Sequence, residues 1–397
     1  MKVAISVLGR FHAFDLAREL DALGKLERLI TSYPRQLGPR FGVDPWRIKG
    51  LPAIEAVHRL WQRLPVARRD SLEPAMHGIF ERAVPRHLPR EMDVFVGWSG
   101  VSLAGIHAAR ERGALTVVER GSAHIEEQTR LLREEYGRFG ITPRTAHPAV
   151  IEKELAEYEA ADAIAVPSAF ARDSFVERGI PASKLIVNPY GVSIESFTPA
   201  AARPGKFRLI CVGRASIQKG SHLLLKAFAK VDRPDAELHF VGPIEPEIAP
   251  FRERLADRRV HFHGAVPQAD LCAAYQLASA FCLPSIQEGM AMVTIQAMAC
   301  GLPCIVTPNT GATGLVRDGV EGHIVAAGEV ESLTEAIERL AADEDRAAQM
   351  GAAAALRVRD GFSWSDYGHR AVAAYGALLE GRCAPASPLD GQAALAS

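Results

Sequence analysis

Short apolar runs rich in Val, Ile and Ala alternate along this chain with longer stretches whose apolar residues recur every three or four positions. The runs predict buried strands and the recurrences predict helices that cover them, which is parallel α/β architecture. The first strand is Val3-Ala4-Ile5-Ser6-Val7-Leu8. A helix carrying Phe14, Leu16, Ala17, Leu20 and Leu23 follows, with Gly24 as its stop. Leu29-Ile30, Val94–Gly97, Thr116–Val118, Ala163–Pro167 and Leu185–Val187 continue the strand series. Residues 34–90 are rich in Pro and Arg and are expected to form loops and short helices. Thr198–Lys206, with Pro199, Pro204 and Gly205, has the composition of a linker. A second series then runs through Arg208–Gly213, Leu238–Gly242, Val260–Gly264, Ala280–Pro284 and Cys304–Val306. Two Rossmann-like domains with a cleft between them follow from this pattern, and ligands of such sheets sit beyond the carboxyl ends of the strands.

Composition narrows the partners. Lys plus Arg number 46 against 47 Asp plus Glu, a formal net charge of −1, which argues against nucleic acid. Within that balance, Arg28 to Arg90 carries a net +7. No apolar run approaches the ~20 residues of a membrane-spanning helix, and the N-terminal apolar run is too short for a signal-peptide core. A cytoplasmic location is expected, with peripheral contact on the inner face of the membrane as an extension. The cysteines at 211, 272, 282, 300, 304 and 383 lack CxxC spacing and are expected to be free thiols, most of them buried.

Two strand-end segments carry the candidate chemistry. In Gly213-Arg214-Ala215-Ser216-Ile217-Gln218-Lys219-Gly220, glycine lets the backbone pass close to a ligand, and Arg214 and Lys219 at a helix start can grip a diphosphate. In Pro284-Ser285-Ile286-Gln287-Glu288-Gly289-Met290-Ala291, Glu288 can accept hydrogen bonds from sugar hydroxyls, and the amides of Gly289, Met290 and Ala291 are expected to face an anion. Gln296 follows Glu288 by eight positions, a little over two helical turns.

Together the segments resemble those of the GT-B retaining glycosyltransferases of family 4, which have a Gly-Arg…Lys-Gly segment and a downstream Glu-x7-Glu motif. Val166-Pro167-Ser168, Asn188-Pro189-Tyr190-Gly191-Val192, Phe262-His263-Gly264-Ala265-Val266, Gly311–Gly319 and Phe362-Ser363-Trp364 extend the resemblance over nearly the whole chain. It implies a GT-B fold: an acceptor-binding domain at 1–198, a nucleotide-sugar domain at 206–362, a helix at 363–382 crossing back to the first domain, and a flexible tail at 383–397. It implies a nucleotide sugar, UDP- or GDP-linked, as donor substrate, no cofactor, and a glycan or lipid-linked glycan as acceptor. Arg214 and Lys219 would hold the diphosphate, Glu288 would contact the donor sugar, Gly264 and Val266 would border the nucleobase, and Gly9 would let the first-domain loop approach the diphosphate. No DxD-like motif stands at a strand end, so catalysis is expected without a metal, Arg214 and Lys219 supplying the charge. The reaction implied is retaining, with the departing phosphate oxygen taking the acceptor proton.

The second Glu of the motif is Gln296 here, so altered donor binding without loss of activity is expected. On the acceptor side the resemblance points to His124 as the candidate catalytic residue, with Arg120 second and His12 beside Gly9 third. Glu126, Glu127, Glu134 and Glu135 are expected on a solvated helix face. Ala56, Val57, Leu60, Trp61 and Leu64, with Arg59, Arg63, Arg68 and Arg69 around them, suit an anionic membrane surface across residues 56–69. A non-catalytic sugar-nucleotide-binding GT-B protein and a small-molecule glycosyltransferase remain the competing readings.

Overall fold

The computed structural model describes residues 1–201, 205–255, 257–382, 387 and 389, with 66–68 described by backbone alone. Its first sheet contains β1 (Val3–Val7), β2 (Leu26–Thr31), β3 (Ile48–Gly50), β4 (Val94–Trp98), β5 (Leu115–Glu119), β6 (Ala163–Val166) and β7 (Leu185–Val187). They are all parallel, in the order β3-β2-β1-β4-β5-β6-β7. The second contains β8 (Arg208–Val212), β9 (Glu237–Val241), β10 (Val260–Phe262), β11 (Ala280–Leu283), β12 (Cys304–Val306) and β13 (Gly322–Ile324), ordered β10-β9-β8-β11-β12-β13. In both sheets the order reverses beside the first strand, and that switch opens a crevice at the carboxyl edge. Every residue of β1 and β4 is buried, because helices cover both faces of a parallel sheet.

The strands β3 (Ile48-Lys49-Gly50) and β13 (Gly322-His323-Ile324) have three residues each with one large apolar residue apiece, so they leave no apolar run to read. Residues 34–90 differ from expectation more. They hold the helices Pro52–Gln62 and Val66–Ala83, the latter 18 residues long with Pro74 inside it. Proline argues locally for a break. Burial of Met76 and Phe80, four residues apart on one helix face, outweighs it.

The chain returns to the first domain at its end. The helix Trp364–Leu379 packs on Ala13–Ala22. Arg370 donates to Asn188 Oδ1 (2.9 Å) and to Pro189 O (2.8 Å), and the Tyr367 hydroxyl donates to Glu119 Oε1 (3.3 Å). At the crossing, a Cβ on Gly191 would stand 2.5 Å from Trp364 N, so the two segments meet only because Gly191 lacks one. Of the expected linker, residues 202–204 lie outside the described residues, as does most of the expected tail, Cys383 included. The five described cysteines are free. Four are buried and Cys272 is half-buried, with its Sγ 3.9 Å from Cys300 Sγ.

Candidate functional site

The two strand-end segments are joined by direct hydrogen bonds. Gly220 adopts φ 68° and caps the helix Ser221–Lys230, and a Cβ there would lie 1.9 Å from Pro284 O. That close approach lets Ile286 N donate to Gln218 O (2.8 Å) and Gln218 Nε2 donate to Gln287 O (3.1 Å). Lys219 is thereby set beside Glu288 as an ion pair, the two side chains 22% and 14% exposed. The ion pair engages one carboxylate oxygen of Glu288, Oε1. Such a carboxylate has acceptor capacity to spare for a hydroxyl. Arg214 is exposed and pairs with Glu245, a partner the sequence did not single out. The positive end of the helix Ser221–Lys230 follows Lys219 directly, so cation and helix field act in one place.

The expectation for one of the following amides, that of Ala291, is corrected. Ala291 N donates to Thr310 O (3.0 Å), as Glu288 N does to Asn309 O (2.9 Å), so the Ala291 amide is spent within the domain. Gly289 faces the first domain: its carbonyl accepts from Ser168 Oγ (2.5 Å), and a Cβ on it would lie 2.1 Å from Gly121 O. Gln287 Nε2 donates to Ser122 Oγ (2.7 Å) beside it. Met290 is buried, and Gln296 is buried with its Oε1 accepting from the Tyr275 hydroxyl (3.3 Å). Gly213 takes φ 120° and Gly264 φ 72°, and the Gly264 carbonyl accepts from Gly242 N (2.7 Å). Val266 lines a separate groove of about 320 Å³ with His239 and His263.

A cleft of about 790 Å³ lies in the first domain, at the carboxyl ends of β1, β4 and β5. Gly9, His12 and Arg120 line it, whereas His124 does not. Gly9 (φ 88°) spends its amide on Ser32 Oγ (3.0 Å) and its carbonyl on Thr31 Oγ1 (2.8 Å). His12 Nε2 lies 3.5 Å from Glu119 Oε2, and its ring packs on Trp98 and Tyr190 at centroid distances of 4.9 and 4.4 Å. Glu119 ends β5 beside Arg120, and its position at a strand end was the signal that could have marked it.

Burial weighs against His124 as an acceptor-side group and commits the Arg120 guanidinium within the first domain. Arg120 borders the cleft, but its guanidinium is committed to Ala123 O (3.1 Å), Glu154 Oε2 (3.0 Å) and Gln128 Oε1 (2.5 Å). His124 caps the helix Ile125–Gly137, its Nδ1 accepting from Glu126 N (3.3 Å), with its ring against Tyr158 and Phe175. Burial, followed by the nearby Arg178 and Arg120 charges, pushes its pKa down to about 4, so the ring is neutral near pH 7. His124 is therefore a cap and a packing group. Glu135 also departs from the expected solvated face. It is buried and accepts from His222 Nε2 (2.8 Å) across the domain boundary, where Tyr136 OH donates to Glu247 Oε1 (3.1 Å).

Comparison with known proteins bears on the family and the fold. The family model described as "Glycosyl transferases group 1" matches residues 193–357. The chain is 30% identical over 383 residues to the MMP alpha-(1->4)-mannosyltransferase of Mycolicibacterium hassiacum, covering 91% of this chain and 92% of that protein. It is 29% identical over 245 residues to the GDP-mannose-dependent alpha-(1-6)-phosphatidylinositol monomannoside mannosyltransferase of Mycolicibacterium smegmatis, covering 56% of this chain and 63% of that protein's length. In fold it resembles sucrose-phosphate synthase from Thermosynechococcus elongatus, with a TM-score of 0.73 and 19% identity over 96% of this chain and 100% of that one. HepE from Anabaena, solved with UDP-glucose, gives a TM-score of 0.68 and 18% identity over the same shares of the two chains. The chain belongs to the glycosyl transferases group 1 family and has the GT-B fold.

Proposed function

We propose that this glycosyltransferase moves a hexose from a nucleotide-diphosphate sugar to a hydroxyl of a glycan or lipid-linked glycan, in cell-surface polysaccharide or glycolipid synthesis. GDP-mannose is the first donor to test, because relatives bear that name. The observation that carries the reading is the junction of the two strand-end segments, which sets Lys219 against Glu288 with Arg214 in the same loop. Arg214 and Lys219 stabilise the negative charge that grows on the departing diphosphate, so that no metal is required. Glu288 accepts hydrogen bonds from the donor sugar. The departing phosphate oxygen takes the acceptor proton on the same face, and the product keeps the anomeric configuration of the donor.

Incubation with a panel of GDP-, UDP- and ADP-sugars tests this. Slow donor hydrolysis, undiminished by EDTA and with the sugar released first as the anomer of the donor, is the expected result by NMR. Binding without turnover for every donor would replace this reading with the non-catalytic one.

A membrane-bound acceptor is favoured by the helix Pro52–Gln62. Among the described residues no helix is long and apolar enough to cross a membrane. This helix, however, turns its apolar stripe outward: it buries Glu55, which accepts from Ser32 Oγ (2.5 Å), and leaves Val57 46% and Leu60 65% exposed. Arg63 is exposed beside them. Trp61, expected on the membrane side, lines the cleft, and its Nε1–H donates to Arg69 O (2.9 Å). The side chain of Arg68 lies outside the described residues. One helix thus forms a cleft wall and presents an apolar, basic face. Leu60→Asp should reduce flotation with anionic liposomes while leaving the melting temperature within about 2 °C, as an exposed substitution does. Equal recovery of wild type with neutral and anionic vesicles would remove the electrostatic part.

A further inference from the structure

The register of the second sheet assembles a histidine cluster that no motif announces. β9 and β10 run parallel with His239 directly beside His261. Side chains at alternate positions of a strand share a face, so Glu237 and His239 fall together on β9, and His263 falls with His261 beyond the end of β10. The ligand atoms of Glu237, His239 and His261 all lie within 4.8 Å of one another. His239 Nδ1 lies 2.8 Å from His263 Nε2, with the rings stacked at 5.1 Å, and His239 Nε2 lies 3.2 Å from Glu237 Oε2.

We propose that Glu237, His239 and His261 form a binding site for a divalent transition metal of the zinc class, with His263 orienting His239. Two imidazoles and a carboxylate are a set that zinc accepts, with water in the fourth position. At metal–ligand distances of about 2.0–2.2 Å, two ligands of one ion stand no more than about 4.4 Å apart. The cluster therefore needs only a small inward rotation. A ligating histidine holds its tautomer by donating its other N–H to a neighbour. His263 Nε2 is placed to accept that proton from His239 Nδ1, which turns the Nε2 lone pair toward Glu237.

Glu237 is held by Arg208 Nε (2.8 Å) and Lys206 Nζ (3.5 Å). Their side chains are 31% and 57% exposed, and both can swing into water when a metal takes the carboxylate. Glu237, His239 and His261 lie within β9 and β10, on different strands from the ends that carry Arg214, Lys219 and Glu288, and His263 stands just past the carboxyl end of β10 in the groove that Val266 lines. The ion would clamp the edge strand β10 to β9 and would not take part in sugar transfer.

Calorimetric titration of the metal-stripped full chain with zinc chloride tests the site, with magnesium chloride as comparison. One zinc bound per chain is expected, with a rise in melting temperature that magnesium does not give. His239→Ala and His261→Ala should each abolish this binding, and His263→Gln should weaken it by about 10- to 100-fold, as loss of an orienting partner does. His261 lies on the edge strand outside the apolar core, so its variant keeps the test open if His239→Ala does not fold. Absence of saturable zinc binding, or zinc binding unchanged in His261→Ala, would overturn the proposal.

Discussion

Lys219→Ala should lower kcat on the order of 10²- to 10³-fold, the usual cost of removing one group that stabilises charge in a transition state. The ammonium is expected to act on the departing diphosphate, where negative charge grows as the sugar leaves. Its loss should therefore appear in kcat more than in donor KM. Lys219 also neutralises Glu288, which is largely buried, so part of the effect in this variant would be structural. Arg214→Ala separates the two contributions. Arg214 is 61% exposed and, among the described residues, pairs only with Glu245 on the surface, a type of pair that adds little to stability. Its removal should leave the melting curve unchanged and still cost activity on the same scale. Steady-state kinetics with the preferred donor, set beside thermal melts, decide the matter. Full activity in both variants would remove these cations from the mechanism and the proposed function with them.

Gly289→Ala should hold the two domains apart. The added methyl would lie 2.1 Å from Gly121 O and 2.6 Å from Ser122 Cα, both backbone atoms that no rotamer change can move away. Overpacking of this kind costs about 1–3 kcal/mol. Placed on a domain contact, that energy shifts the ratio of closed to open forms by roughly 5- to 150-fold. The Ser168–Gly289 and Gln287–Ser122 hydrogen bonds break in the same movement, and donor and acceptor sides lose their register. Small-angle scattering should show a larger radius of gyration, and kcat should fall with it. Gly137→Ala is the matched control: it ends the helix Ile125–Gly137, and nothing lies within 4 Å of its added Cβ. Scattering and activity identical to wild type in Gly289→Ala would show that this contact does not govern closure.

What the sequence determined by itself is local. Strand runs and helix periods of the two α/β series are readable because burial imposes a period on each element separately. Gly213, Arg214, Lys219, Gly220, Glu288 and Gly289 were readable as segments because a strand followed by glycine and a helix start is a contiguous pattern. The exceptions were elements whose local signal is weak or contrary, namely β3, β13 and the helix through Pro74.

What only the tertiary structure decided is which partner each polar group meets. His124 looks like a free imidazole at a strand end until Tyr158 and Phe175 close over it. Arg120 looks like an acceptor contact until Glu154, distant in sequence, takes its guanidinium. Glu135 becomes an inter-domain partner through His222, and the Ala291 amide is consumed by Thr310. Trp61 turns inward and Leu60 outward because Glu55, on the buried face of the same helix, bonds to Ser32. His239 and His261 become neighbours only through the register of two strands. In each case the deciding contact joins residues far apart in the chain or sets how one element is rotated on another. A polar side chain's role follows from how fully its hydrogen bonds are satisfied once it is buried, and burial is a property of the packed fold.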